Sequence, residues 1–344
     1  MRQLKRWRPS SKNIPNNKDS VTPFVRRFLK RVQNTVTKYQ LWNRKESFII
    51  GVSGGADSLC LLDVLYLLSQ KYDFTLHVAH VNYRLRGRDS ELDEMLVRER
   101  ANTYGLPFSV LHPKKTSPSN LEERLRDIRY RFFEKVRTKK KATLIAVAHH
   151  QDDQAETFLL RLLRGSGMRG LSAMRPKNNF VIRPLIEMSR EEILRYLKER
   201  NISYRTDKSN DDSKYIRNRL RNRLIPLIEK EYQPRIKKIL ADTAALIASD
   251  YQLLETLTPF SMQQKNGTLE FSAKEFRTLS EPIMRRELRA ALKPYYQGRS
   301  APKGVIDEME KLLRSVKSKH QVFEVAGLKI ERKGDTVRLL NFSS

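Results

Sequence analysis

Two hydrophobic rhythms run along this chain. Phe24, Phe28, Val32, Val36 and Tyr39 recur near helical spacing, which predicts an amphipathic helix. Phe48-Ile49-Ile50 is a β-rich apolar run, read as a buried strand, and from Leu59 to Leu68 the apolar positions return to helical spacing. The alternation continues. Strands are expected at Thr75–Val81, Pro107–Leu111 and Thr143–Ala148, and helices at Ser90–Tyr104, Leu121–Val136, Asp152–Leu163 and Arg190–Arg200. This is the mark of an α/β fold, a doubly wound parallel sheet with helices on both faces. After Pro226 the pattern is helical to about Lys293, and a short helix is expected at Val305–Val316. The end differs in kind: Val322–Val325, Leu328–Arg332 and Thr336–Leu340 read as short strands, with turns at Gly327 and Lys333-Gly334-Asp335. Three segments are therefore expected: a basic arm at 1–23, a catalytic domain at 24–240, and a helical linker with a small α+β domain at 241–344.

Composition adds a partner to this picture. The 344 residues carry 68 Lys and Arg against 39 Asp and Glu, a net charge of +29, which points to a polyanionic partner, either nucleic acid or an anionic membrane surface. Over residues 1–45 the count is 13 basic residues against one acid, and the first 20 residues read as a disordered basic arm. No apolar run approaches the roughly 20 residues needed to span a bilayer, so a cytoplasmic protein with no membrane partner is expected. The only cysteine, Cys60, lies in an apolar helix and excludes a disulfide framework or a Cys-x-x-Cys metal site.

The chemistry centres on Ser53-Gly54-Gly55-Ala56-Asp57-Ser58, set where a strand must turn into a helix. Glycines let the backbone approach an anion, and the N–H groups of the helix's first turn then point at it. Ser53 and Ser58 add hydroxyls. Asp57 has the wrong sign for a phosphate unless a metal lies between them, which implies Mg²⁺ shared with a nucleotide. The loop is neither G-x-x-x-x-G-K-[ST] nor G-x-G-x-x-G. It is similar to the pyrophosphate loop of enzymes that split ATP between its α- and β-phosphates.

Two further segments follow strands and are expected at the same pocket: His80 to Arg86, and His149 to Glu156. His149, Asp152, Asp153 and Glu156 stand at i, i+3, i+4 and i+7, on one face if a helix starts near His149. Such a face suits Mg²⁺, a cationic substrate, or both; N-terminal capping accounts for one or two of the acids. Gly165-Ser166-Gly167 with Gly170 reads as a lid, a phosphate nest or a plain connector. Basic residues interleaved with Asn and Tyr, at Tyr204 to Asn210 and Arg217 to Arg223, suit phosphate contacts and base stacking.

In order and spacing these blocks resemble the tRNA(Ile)-lysidine synthases, within the PP-loop, or N-type ATP pyrophosphatase, superfamily. The markers are the loop, His80 with Arg84-Leu85-Arg86, Asn120 with Arg126, Arg129 and Tyr130, and Ala148-His149-x-x-Asp152-Asp153-x-x-Glu156-Thr157. Further along come Gly165-x-Gly167, Arg183-Pro184-Leu185, Asp207-x-Ser209-Asn210, and Arg217-Asn218 with Arg221. The match covers about Phe24 to Leu227 closely. The resemblance implies a sheet of adenine nucleotide α-hydrolase type. It also implies a reaction: ATP adenylates O2 of the wobble cytidine of the isoleucine tRNA with a CAU anticodon, and the lysine ε-amine displaces AMP to give lysidine. Ser53, Gly54, Gly55, Ala56, Asp57, Ser58 and His80 would bind ATP, with Asp57 on Mg²⁺. His149, Asp152, Asp153 and Glu156 would hold lysine; Asp57, His149, Asp153 and Glu156 would carry the chemistry. Arg84, Arg126, Arg129, Arg205, Arg217, Asn218 and Arg221 would grip tRNA. A homodimer is left open.

Rival readings differ by cheap features. A sulfur transferase acting on tRNA needs cysteines beyond Cys60. Synthetases using glutamine nitrogen need an amidotransferase domain or partner. An inactive RNA-binding protein on a degenerate nucleotide fold gains nothing from an intact loop and buried acids.

Overall fold

The computed structural model describes residues 22–43, 45–114, 121–205, 216–257, 263–265, 268–296, 301–315, 320–325 and 328–341. Residues 1–21 of the basic arm, Asn120, and Asp207, Ser209 and Asn210 lie outside the described residues, as do Gly298 and Gly327. The chain divides into two compact units, one up to Ser249 and one from Asp250.

In the first unit α1 (Pro23–Lys38) is followed by β1 (Ser47–Gly51), α2 (Ala56–Tyr72), β2 (Thr75–Val81), α3 (Arg88–Thr103), β3 (Phe108–Leu111) and α4 (Leu121–Lys140). Then come β4 (Leu144–Ala146), α5 (Gln151–Leu162), α6 (Met168–Leu171), β5 (Lys177–Asn178), β6 (Val181–Ile182) and α7 (Arg190–Glu199). After these, α8 (Ile216–Arg219), a π-helical turn at Leu220–Leu224, α9 (Ile225–Glu231) and α10 (Ile236–Leu257) are all helical.

The six strands lie in the order β3-β2-β1-β4-β6-β5, parallel except for the short β5. Because side chains alternate across a strand, the apolar run of β1 feeds two cores. Phe48 and Ile50 pack with α1, α2 and α7, while Ile49 packs with Phe133 and Val136 of α4. Trp42, just ahead of β1, stands edge-on to Phe48 and Phe74 at 5.4 and 5.5 Å between ring centroids. The chain leaves β1 in one direction across the sheet and returns to β4 on the other side. The carboxyl ends of β1 and β4 therefore form the switch point at which such sheets bind ligands.

The second unit is an antiparallel sheet with three helices: β7 (Gln263–Lys265), β8 (Thr268–Ser272), α11 (Ala273–Thr278), α12 (Glu281–Leu292), α13 (Lys303–Arg314), β9 (Gln321–Val325), β10 (Leu328–Lys333) and β11 (Thr336–Asn341). Its strand order is β7-β8-β11-β10-β9. The expectation of uninterrupted helix between Pro226 and Lys293 is corrected here. Thr268 to Ser272 alternates polar and apolar residues, and β8 is recruited as the neighbour of β11 by a pairing about 65 residues long in sequence, as in Phe271 opposite Val337. Arg332 is buried and donates to the Leu312 and Ser315 carbonyls, closing the C-terminus of α13. Among the described residues no helix is long and apolar enough to cross a membrane.

Candidate active site

The last residue of β1, Gly51, has no room for a side chain: a Cβ would stand 2.6 Å from the buried Phe133 ring. The loop then needs a residue at positive φ, and Gly54 supplies it at +93°. Hydroxyls knit the turn. Ser53 N–H donates to Ser58 Oγ at 3.1 Å, and Ser58 Oγ donates to the Gly55 carbonyl at 2.9 Å. Gly55 is the N-cap of α2, and no side chain caps the helix. The first-turn N–H groups are therefore left for an anion, favoured further by the helix dipole. Above this turn lies a cavity of about 200 Å³, lined by Gly51, Ser53, Asp57 and Ser58, by Tyr83, by Arg129, Tyr130 and Phe133 of α4, and by His149. Segments following β1, β2 and β4 thus share one pocket.

His80 lies beside the pocket rather than on its wall. Its Nδ1 donates to the Val52 carbonyl at 2.8 Å, which leaves a buried Nε2 with no partner, and burial lowers its pKa. His80 supports the backbone from which the loop springs.

The acidic segment departs from the expected helix face. α5 begins at Gln151, so His149 and His150 stand ahead of it, His150 as its extended N-cap. His149 faces the cavity; burial takes its pKa down to about 3, so its imidazole stays neutral and can accept a hydrogen bond, while burial opposes its taking a proton. Glu156 is 2 % exposed, and it accepts from Arg217 Nε at 2.9 Å and from Arg221. Asp153 receives the same two arginines at 3.3 and 3.4 Å. Burial works against its charge, yet His150, His149 and Arg217 hold its carboxyl far below the usual range. Asp152 accepts from the Arg190 backbone N–H at 2.9 Å and lies 3.4 Å from Lys237 Nζ.

His150 and Arg190 join this cluster to the loop, and neither stood among the sequence candidates. The His150 ring is buried with Nε2 at 3.6 Å from Asp57 and 3.5 Å from Asp153, and Nδ1 at 3.8 Å from Asp152. Burial pulls its pKa down but is outweighed by the charge of Asp153, with Asp57 and Asp152 adding, so the imidazole is raised to about 9. Arg190 pairs with both oxygens of Asp57. Ser189-Arg190-Glu191-Glu192 is legible as a helix start, since Ser189 and Glu192 form a capping box. That signal says nothing of a partner 133 residues away.

The basic candidates separate. Arg84 is exposed, at φ +55°, its N–H held by Asn82 Oδ1. Arg126 and Arg129 lie over the Tyr130 ring at 4.9 and 5.7 Å. Arg205 is tied to Asp93 and Asp89 at 2.7 and 2.6 Å, and its N–H donates to the Gly54 carbonyl. Arg217 and Arg221 face the acidic helix, and Asn218 shares α8 with Arg217.

Residues 23–228 match the family model of the PP-loop domain, a span that includes the cradle, the acidic cluster and both basic blocks. The chain belongs to the PP-loop family. The matched model is that of an ATP-binding domain. Its curated relatives include proteins named tRNA(Ile)-lysidine synthase. That of Caldanaerobacter subterraneus subsp. tengcongensis is 38% identical over 232 residues, covering 66% of this chain and 50% of the relative. That of Geobacter sulfurreducens is 39% identical over 243 residues, covering 69% and 51%. For Bacillus subtilis the values are 34% over 283 residues, 78% and 60%. The chain spans about half the length of the first of these relatives. Among solved structures, the U34-tRNA thiolase of Methanococcus maripaludis shares the PP-loop fold with a TM-score of 0.54 at 19% identity, over 66% of this chain and 80% of that one.

Proposed function

We propose that this PP-loop chain joins lysine to C2 of the wobble cytidine of the isoleucine tRNA with a CAU anticodon. The product, lysidine, would change codon reading from AUG to AUA and tRNA identity from methionine to isoleucine. The observation that carries the proposal is the junction of two unlike sites. An uncapped glycine cradle for phosphate and a buried acidic cluster for an amine meet at His150, within one switch point.

In the first half-reaction, cytidine O2 attacks the α-phosphorus of ATP and pyrophosphate leaves. The first-turn N–H groups of α2, with Ser53 and Ser58, hold the departing phosphates, and their fixed dipoles stabilise charge as it develops. In the second, the lysine ε-amine attacks C2 and AMP departs with O2. Asp152 and Asp153 carry the charge that orients the ammonium, with Glu156 behind them held by Arg217 and Arg221. Neutral His149 orients the amine as a hydrogen-bond acceptor, and the proton the amine must lose passes to water. Among the described residues no three His, Cys, Asp or Glu side chains group to hold a metal alone. Asp57 at the cradle fits Mg²⁺ of the kind held by one carboxylate and substrate phosphates, which would lower the charge barrier to attack.

Residues 250–344 hold 17 of the 68 basic residues and 12 of the 39 acids, so the excess charge for gripping tRNA resides in the first unit. Arg84, Arg126, Arg129, Arg205, Arg217, Asn218 and Arg221 are assigned to that grip, with the C-terminal unit as a second contact. A thiolase reading fares worse, since Cys60 is the sole cysteine, buried in α2, and burial pushes its thiol well above the usual value.

The test is incorporation of labelled lysine into unmodified tRNA with ATP and Mg²⁺, comparing the CAU isoleucine and CAU methionine tRNAs. Label on the isoleucine tRNA alone is expected. AMP release with no label on either would keep the adenylating pocket and overturn lysine as the nucleophile.

A further inference from the structure

Asp57 is the carboxylate assigned to metal, yet both its oxygens lie on one nitrogen of an arginine, Nη1 of Arg190. A single-nitrogen contact forgoes the two-nitrogen fork that makes arginine–carboxylate pairs strong, and it leaves the rest of the guanidinium at hand for another anion. The pair is half open: the side chains are 41% and 28% exposed. The base of Arg190, by contrast, is fixed. It is the first residue of α7, with its N–H on Asp152 at 2.9 Å, behind the Ser189–Glu192 capping box. A partly exposed cationic head on an anchored stem therefore stands at the phosphate cradle.

A metal–triphosphate brings a cation that suits Asp57 and oxygens that suit Arg190. Both charges can change partners in one step without either being left unpaired in a half-buried place. We propose that Arg190 is a nucleotide-binding residue that exchanges Asp57 for the phosphate oxygens when metal–ATP binds, releasing Asp57 to the metal. The inference rests on the reading of the cradle as an ATP site, and it assigns a residue outside the loop to the phosphates.

Arg190→Gln tests it through two affinities that should move in opposite senses. Mn²⁺ alone, followed by electron paramagnetic resonance, is expected to bind about tenfold tighter, because Asp57 has lost its competing cation. The Mn²⁺ complex of α,β-methylene-ATP, followed by calorimetry, is expected to bind about tenfold more weakly, the worth of one charge-assisted hydrogen bond. Adding Asp57→Asn should erase the gain in Mn²⁺ affinity. If both affinities are unchanged, or both move the same way, Arg190 is a fixed clasp and the proposal falls while nucleotide binding stands. Failure of the unaltered protein to bind the analogue at all would overturn the cradle reading and this proposal together. Should Arg190→Gln not fold, Arg190→Lys carries the test. It keeps a cation on Asp57 and should leave Mn²⁺ affinity alone while weakening the analogue severalfold; unchanged analogue affinity would overturn the proposal.

Discussion

Helices α2 and α7 are clasped twice by an aspartate and an arginine, and the two clasps are built differently. Asp63 accepts from Tyr104 and Tyr196 hydroxyls, each at 2.6 Å, and from Arg200 through two nitrogens, at 3.0 and 3.1 Å. Its side chain is 0% exposed. Asp57, less than two turns earlier on α2, meets Arg190 through one nitrogen and His150 at 3.6 Å, and it stays open to solvent. A carboxylate whose acceptor sites are filled in a dry place is a fixed part of the fold. One left with spare capacity beside a phosphate cradle can change partners. Residue type does not separate the two; saturation does.

The comparison breaks most visibly through stability. Asp63→Asn should cost about 3–5 kcal/mol in urea unfolding, because Arg200 is left without its counter-charge. Asp57→Asn should cost under about 1 kcal/mol, as for a solvent-exposed pair. Equal costs would mean that both clasps are structural. The order reverses for turnover: Asp57→Asn should lower lysine incorporation by about 10²–10³-fold with tRNA affinity nearly unchanged. Loss of both together would remove Asp57 from the metal role.

His150 sharpens the contrast through pH. Its folded pKa, raised to about 9, exceeds the ordinary 6.5, so protonated His150 stabilises the fold fully below 6.5 and that contribution is lost as pH rises through about 9. The urea midpoint of the unaltered protein should therefore fall between pH 6.5 and 9 relative to that of His150→Gln. Parallel midpoints across that window would show that the imidazole is not held charged by the acids. The smallest effect is expected from Arg221→Ala, which leaves Glu156 with Arg217: tRNA binding should weaken severalfold, and the salt slope should shrink by about one. An unchanged slope would take Arg221 out of the interface.

Much of this was legible in the sequence where the signal is local. Thr75–Val81 and Leu121 at the start of α4 fall where periodicity places them, and the loop chemistry follows from glycine and helix-terminus physics alone. What escaped is tertiary. The β7–β8 hairpin forms because β11 offers an edge, and the helix after β4 starts at Gln151 with His150 as its N-cap, so His149 stands ahead of the helix and not on one face with the acids. Arg217 and Arg221 look the same in composition whether they face RNA or, as here, Asp153 and Glu156. Charges find partners across more than 60 residues of chain, a distance no window of sequence spans.

The edge-on packing of Trp42 gives each unit its own optical signature. The chain has two tryptophans, Trp7 and Trp42, both ahead of Ser249, whereas residues 250–344 carry Tyr251, Tyr295 and Tyr296 and no indole. Selective indole excitation therefore reads the first unit alone, through the loss of Phe48 and Phe74 from around the ring. Far-ultraviolet ellipticity reads both. Superimposable curves from the two signals would show one cooperative melt, and separated curves two, in the intact polypeptide and without cutting it.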